Sequence, residues 1–346
     1  MNKRKLIGNI IFGLVVTIVL LIIIFSLNDI DDIFNVIKGA NIWFLLLAIL
    51  FMLIHTFLTS VTFVIVKTGL PTELTFIDTL IVGKMEYLFN AITPFSSGSQ
   101  PIQTYYFNKL GANYEEATSI SLSNFIVYQV TLTIFSTVGM IMYFSKIYEV
   151  ASHYMWIIVV GYIMNTLMLT LMILIGTVPG IKKVIKAFFR LIGKIKPFNK
   201  KMTELEGKTD DFVYKFQRDI KSLFKRKRVL LGTTAIRIVD LIIFNAIPIV
   251  LFYAFGIRVS FSDYLYIIMM SAFAQTMMLW VPTPGASGGV EWAYTVLFTA
   301  FASTSVIVSS MLLWRFITFY LGMLIGLAAY LFVKKRGRKY ENRSVY

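Results

Sequence analysis

Six charged residues interrupt stretches that are otherwise apolar: Lys84, Glu86, Arg237, Asp240, Glu291 and Arg315. Each would cost about 2.5–3.5 kcal/mol at the centre of a bilayer on insertion scales. Three are cations and three are anions, so the set sums to zero. Such groups face a bundle interior or a wet cavity, where they pair with one another or with a charged ligand. Arg237 and Asp240 stand three apart in "RIVDL", on one face if that segment is helical. For them a structural ion pair and a functional part are both open. Glu291 and Arg315 adjoin a second unusual feature, which favours a functional part.

That feature is a pair of stretches rich in helix-breaking and polar residues, "TPFSSGSQPIQTYYFNKLG" at 93–111 and "VPTPGASGGVEWAY" at 281–294. External loops or kinks in spanning helices would carry similar residues. The alternative is a pair of broken-helix turns lining one shared cavity. Non-helical backbone survives at membrane depth only where protein or trapped water satisfies it. Each turn also opens a new half-helix, one near Gln100–Pro101 and one near Gly289–Val290. Helix N-termini carry unpaired N–H groups and partial positive charge, which suits an anion such as phosphate. Ser96, Ser97, Ser99 and Ser287 add hydroxyls, and Gln100 and Gln103 add amides. Gly98, Gly288 and Gly289 permit close backbone approach. These residues, with Pro94, Pro284 and Glu291, form the candidate headgroup site. His55 reads as a packing residue, and Tyr105 and Tyr106 as interfacial aromatics or lipid contacts.

The elements that must position these groups follow from composition. Of 346 residues, 57% are hydrophobic, and the mean hydropathy is +0.75. Residues 6–27 and 117–145 carry no charge at all, and about 20 apolar residues cross a bilayer as a helix. The class is therefore an all-α polytopic membrane protein. Residues 6–27 are too long for a signal-peptide core and lack a small-residue cleavage site, so they read as a first span. With no cysteine and only two histidines, disulfides, thiolate chemistry and a His-based zinc site are not expected. No cofactor is implied.

The net charge of +15 is concentrated rather than spread. Of 33 Lys and Arg, 25 lie in the N-terminal tail, in 181–228 and after 333. Residues 181–228 hold sixteen cations against five acids, a net of +11. The positive-inside rule places all three segments in the cytoplasm, and the loop suits anionic inner-leaflet lipids. Nucleic acid is not an expected partner, since no recognition motif accompanies the charge.

Full spans are expected at 6–27, 42–66, 117–145, 154–178, 229–257 and 305–333. Residues 68–116 must then begin and end inside. A full crossing by 75–93 would leave "PIQTYYFNKLG" to return, about 11 residues or roughly 16 Å of helix, too short for a core of about 30 Å. A hairpin that enters from the cytoplasm and turns at "PFSSGSQP" resolves the count. By the same count 258–304 begin and end outside, turning at "PTPGASGG". The expected fold is six full spans plus two oppositely oriented re-entrant hairpins, eight hydrophobic segments in all. Opposed hairpins suggest an inverted repeat, with "FID" at 76–78 answered by "FSD" at 261–263. Residues 1–180 would form the first repeat, 181–228 a basic amphipathic loop, 229–333 the second repeat and 334–346 a basic tail, within a single domain.

At the two turns the chain resembles the lysylphosphatidylglycerol synthase transmembrane region, the flippase module of the bacterial multiple peptide resistance factor. The likeness spans essentially the whole chain. It implies a polytopic lipid translocator, which in full-length relatives moves lysyl-phosphatidylglycerol to the outer leaflet and confers resistance to cationic peptides. The resemblance assigns Pro94, Ser96, Ser97, Gly98, Gln100 and Pro101 to the first turn. It assigns Pro282, Pro284, Gly285, Ser287, Gly288, Gly289 and Glu291 to the second. Arg237, Asp240 and Arg315 enter from burial cost alone. In those relatives aminoacyl transfer from lysyl-tRNA belongs to a soluble C-terminal domain. Here about 13 residues follow the last span, too few for one.

The resulting expectation is translocation of a phosphate-headgroup lipid, such as lysyl-phosphatidylglycerol or a polyprenyl phosphate, with rocking of one repeat against the other. The alternatives are phosphatidylglycerol lysyltransferase activity, or a non-transporting membrane partner of a lipid-modifying enzyme. A second copy of the chain or a separate lipid synthase is compatible with the sequence. The expected location is a bacterial cytoplasmic membrane, with both termini cytoplasmic. Single cysteines at Lys109 and Ser303 test the topology. A membrane-impermeant thiol reagent should reach the first only from the cytosol and the second only from outside. The opposite sidedness at either position removes the hairpin model.

Overall fold

The structure is a computed structural model that describes residues 30–195, 199–278 and 281–343. The expected first span at 6–27 lies outside these. Among the described residues the regular structure is helical, and five stretches are long and apolar enough to cross a membrane: Ile42–Lys67, Tyr114–Met142, Phe144–Thr177, Lys227–Ala254 and Thr304–Arg336. They coincide, within a few residues at most ends, with five of the six expected spans. The stretch from Phe144 begins about ten residues early, because "FSKIYEVA" is amphipathic and helical rather than a loop.

The helices, in chain order, are α1 (Ile30–Lys38), α2 (Ile42–Lys67), α3 (Phe76–Lys84), α4 (Glu86–Ala91), α5 (Ser99–Lys109), α6 (Tyr114–Met142), α7 (Phe144–Ala151) and α8 (Met155–Thr177). Then follow α9 (Ile181–Gly193), α10 (Asn199–Lys225), α11 (Lys227–Asn245), α12 (Ile247–Ala254), α13 (Phe261–Met278), α14 (Gly289–Phe298), α15 (Thr304–Arg315) and α16 (Gly322–Arg343). A wider, π-helical turn at Phe316–Leu321 joins the last two.

Several starts are written in the local sequence. Asn113 and Glu116 form a reciprocal cap on α6, Asn113 Oδ1 accepting from Glu116 N at 2.9 Å and Glu116 Oε2 from Asn113 N at 3.0 Å. The helices α3 and α13, which lead into the two turns, begin alike. Thr75 Oγ1 accepts from Asp78 N at 3.1 Å, and Ser260 Oγ donates to Asp263 Oδ2 at 2.5 Å. Each aspartate also meets a distant cation: Asp78 meets Arg336 at 2.7 Å and Asp263 meets Lys146 at 2.6 Å.

The segments around both turns are short. α5 has 11 residues and α14 has 10, so each is about 15–17 Å long at 1.5 Å per residue. The α3–α5 unit packs against α2, α6 and α16, while α13 and α14 pack against α6, α8, α12 and α15. Each unit carries its own apolar core. One gathers Phe63, Met85, Phe89, Phe107 and Ile120. The larger one gathers Met270, Phe273, Tyr294, Phe298 and Trp314. Within the segment read as a loop by composition, 181–193 and 199–225 form the helices α9 and α10, because their apolar residues recur at helical spacing. Thr209, Val213, Phe216, Ile220 and Leu223 bury one face of α10.

Helices approach closely where small residues allow it. A Cβ on Gly161 of α8 would lie 2.4 Å from the Met277 carbonyl oxygen on α13. Gly161→Leu should therefore destabilise the fold by about 1–3 kcal/mol, the range for overpacking, read as a lower melting temperature in detergent. Gly207→Ala, where nothing lies within 4 Å, should leave that temperature equal or raised.

Candidate functional site

The two turns meet. Pro94 and Pro284 form an isolated antiparallel bridge, so backbones 190 positions apart pass side by side. The first turn runs left-handed at Phe95 (φ 56°) and Ser96 (φ 48°), the second at Gly285 (φ 60°), Ala286 (φ 53°) and Gly288 (φ 93°). Non-glycine residues held there cost of order 1–3 kcal/mol each and persist where surroundings over-determine them. Thr93 Oγ1 closes the first turn, accepting from Gly98 N at 2.9 Å and donating to Phe89 O at 2.6 Å. Gly98 itself has an ordinary helical φ; it is needed for space, since a Cβ would sit 2.4 Å from Thr93 Cγ2. The second turn is closed differently, by Thr283 Oγ1 donating to Ser287 O at 2.7 Å.

The charged residues resolve into two clusters. In the first, Asp240 is fully buried and Arg237 is 2% exposed. Asp240 Oδ2 accepts from Arg237 Nη1 at 3.1 Å and from Thr59 Oγ1 at 3.0 Å, and Oδ1 lies 2.6 Å from His55 Nδ1. Arg237 Nη2 donates to Asn124 Oδ1 at 3.2 Å, and its guanidinium lies over the Tyr128 ring. This knot ties α11 to α2 and α6. In the second cluster, Arg315 Nε donates to Glu291 Oε1 at 2.5 Å, and Nη2 donates to Ser287 Oγ at 3.0 Å and to Gly285 O at 3.2 Å. The same guanidinium lies 4.4 Å from the centre of the Phe319 ring. Arg315 therefore holds the second turn from the last span, just before the π-helical turn.

Between the clusters lies a cavity of about 370 Å³, within the size range of small-ligand sites. Arg237 and Arg315 line it, whereas their partners Asp240 and Glu291 do not. The cations face inward and their counter-ions stand behind them. Ser96, Ser97, Ser99, Gln100 and Gln103 line it from the first turn and α5, and Glu86 from α4. Gly285, Ala286 and Val290 line it from the second. Ser287 holds Arg315 and is not itself a lining residue. Gly288 and Gly289 lie at the start of α14, and Pro101 and Pro282 are exposed.

Two expectations need correction. Lys84 is only half-buried and does not line the cavity, because residues two apart point to opposite sides of a helix and Glu86 takes the cavity side. Glu86 is likewise half-buried rather than buried. The paired N-termini also differ from the symmetrical anion site expected of them. At α14 the Glu291 carboxylate reaches back to accept from Gly288 N at 2.8 Å, so an internal carboxylate already sits at that end. The positive groups presented to the cavity are the arginine side chains.

Sequence reasoning missed His55, Thr59 and Asn124. His55 is satisfied, but by Asp240, 185 positions away, and it lines the cavity. A usable signal existed in α6: Ser121, Asn124 and Tyr128 recur at helical spacing in a charge-free span, and all three line the cavity.

A model of the lysylphosphatidylglycerol synthase transmembrane region matches residues 10–326. The chain belongs to that family. It is a membrane protein. It is similar to a UPF0104 membrane protein of Archaeoglobus fulgidus, 25% identical over 338 residues, which cover 91% of this chain and 94% of that one. Both turns and all six charges of this lysylphosphatidylglycerol synthase transmembrane-region protein fall inside the matched residues.

The buried knot has a measurable consequence. Asp240→Asn leaves Arg237 charged and uncompensated, and should cost about 3–5 kcal/mol, seen as a lower unfolding midpoint in detergent. Replacing the pair together, Arg237→Met with Asp240→Leu, should recover much of that loss. A stable Asp240→Asn protein would show that the pair is not a structural tie.

Proposed function

We propose that this protein moves a lipid with a phosphate-bearing headgroup across the membrane through the cavity between the two turns. The observation that carries this reading is the inward presentation of Arg237 and Arg315, with Asp240 and Glu291 held behind them. An arginine fork matches phosphate oxygens, and compensating carboxylates outside the cavity let the cations stay buried without a ligand. Supporting it, cavity-lining residues include buried donors without an acceptor among the described residues, Ser121 Oγ, Arg237 Nε and Trp314 Nε1 among them. Buried donors left unpaired are costly. An acceptor-rich headgroup would relieve those that small side-chain rotations bring to it.

In this reading the headgroup occupies the polar cavity while the acyl or prenyl tails stay in the bilayer. The two short-helix units act as re-entrant hairpins of an inverted repeat, and access alternates as one rocks against the other. The basic segments face the cytoplasm, as the charge rule requires. Glu86, on the cavity wall within electrostatic reach of Arg237, His55 and Asp240, would favour a headgroup that also carries an amine, as aminoacylated phosphatidylglycerol does.

The test is lipid movement in proteoliposomes, with fluorescent phosphatidylglycerol as probe and chemical quenching of the outer leaflet as readout. Arg315→Ala strands Glu291 and should lower the melting temperature; assayed below that temperature, where the protein is still folded, it should slow translocation at least tenfold. Arg315→Lys should retain part of the rate, since charge remains but the fork is lost. Wild-type rates in Arg315→Ala would remove the cavity from the mechanism.

A further inference from the structure

The helix α9 has three faces with different partners. Ile185, Phe189 and Ile192 are half-buried on the side that packs against α10. Next to them, Lys186 Nζ meets Asp210 Oδ2 at 2.5 Å and Arg190 Nε meets Glu206 Oε1 at 2.7 Å, which fixes that side against α10. The remaining face carries Val184, Phe188 and Leu191, which are 64%, 56% and 63% exposed. Their spacing of four and three places them in one stripe along the helix. Beside the stripe, Lys183 and Lys194 are exposed and have no carboxylate partner among the described residues.

α10 is itself anchored to the end of a spanning helix. Gln217 Nε2 donates to the Ile175 and Val178 carbonyls at 2.9 Å each, capping the C-terminal end of α8. Phe216 and Ile220 pack with Leu169 and Met172 of α8. The order outward is therefore α8, α10, α9 and then the open stripe. An apolar stripe flanked by unpaired cations, one short connection beyond a membrane span, has the chemistry of a helix lying in a lipid interface. Water would leave the stripe exposed, and a protein partner would have to carry matching acids. An anionic bilayer surface complements both parts at once.

We propose that α9 lies in the plane of the membrane surface on the side of the basic segments, with Val184, Phe188 and Leu191 among the acyl chains and Lys183 and Lys194 on anionic lipid headgroups. This does not rest on lipid movement through the cavity, and its test reads position alone. The chain has no cysteine, so single cysteines at Phe188, Leu191 and Arg190 can be labelled singly with an environment-sensitive fluorophore. The full protein is reconstituted in vesicles of phosphatidylcholine, with or without phosphatidylglycerol. Labels at Phe188→Cys and Leu191→Cys should be quenched by bilayer-borne nitroxide several-fold more than the label at Arg190→Cys. The Lys183→Glu, Lys194→Glu double variant should weaken that quenching in the phosphatidylglycerol vesicles. Equal access of aqueous iodide to all three labels overturns the proposal. So does shielding that appears in detergent and grows with protein concentration, which would make the face a contact between copies of the chain.

Discussion

Non-helical backbone and buried charge are expensive away from water unless they are paired, and this chain brings both, with their partners, to one point. Two turns that break their helices pass each other at Pro94 and Pro284. Neither proline has an N–H to donate, and their carbonyls accept from Ser97 N and Ser287 N within the turns; side chains add the remaining bonds. Thr93 and Asn90 serve the first turn, Thr283 and Arg315 the second. The short helices around the turns exist because the chain must reach this point and leave it within a few turns of helix. The long helices pack around both units.

The same constraint explains the pairing of charges. Arg237 finds Asp240 on its own helix, but Asp240 is completed by His55 and Thr59 of α2, and Arg237 by Asn124 of α6. Three helices are thus tied by one carboxylate and one guanidinium. Breaking such a pair is costly because it strands a buried charge, even where the pair adds little net stability. Arg315 plays the equivalent part for the second turn, with Glu291 neutralising it and capping α14 at once. In both clusters the carboxylate stands outside the cavity wall. The structural tie and the proposed ligand site therefore share the same arginines, and the proposed binding would use a charge that the fold has already stabilised.

Much of the architecture was legible in local pattern. Charge-free runs marked spans, and the Pro/Gly clusters marked the turns. "FID" and "FSD", read as a sign of repetition, prove to lie at the helix starts that lead into the turns. The α9–α10 pair was less so: its charge read as a loop, although its apolar residues recur at helical spacing. Lys84 and Glu86 looked equivalent in sequence, two apart and both costly to bury. Their spacing of two separates them, since such residues point to opposite sides of a helix and only Glu86 reaches the cavity.

The sequence by itself determined the membrane class, the long helices and the identity of the residues too polar or too charged to face lipid. These follow from hydropathy and short-range spacing, which act between neighbours along the chain. Only the tertiary structure decided which distant groups meet. Pro94 faces Pro284, His55 reaches Asp240, and Arg315 holds Ser287. Partners separated by tens to hundreds of positions are selected by packing geometry, and composition carries no record of that geometry.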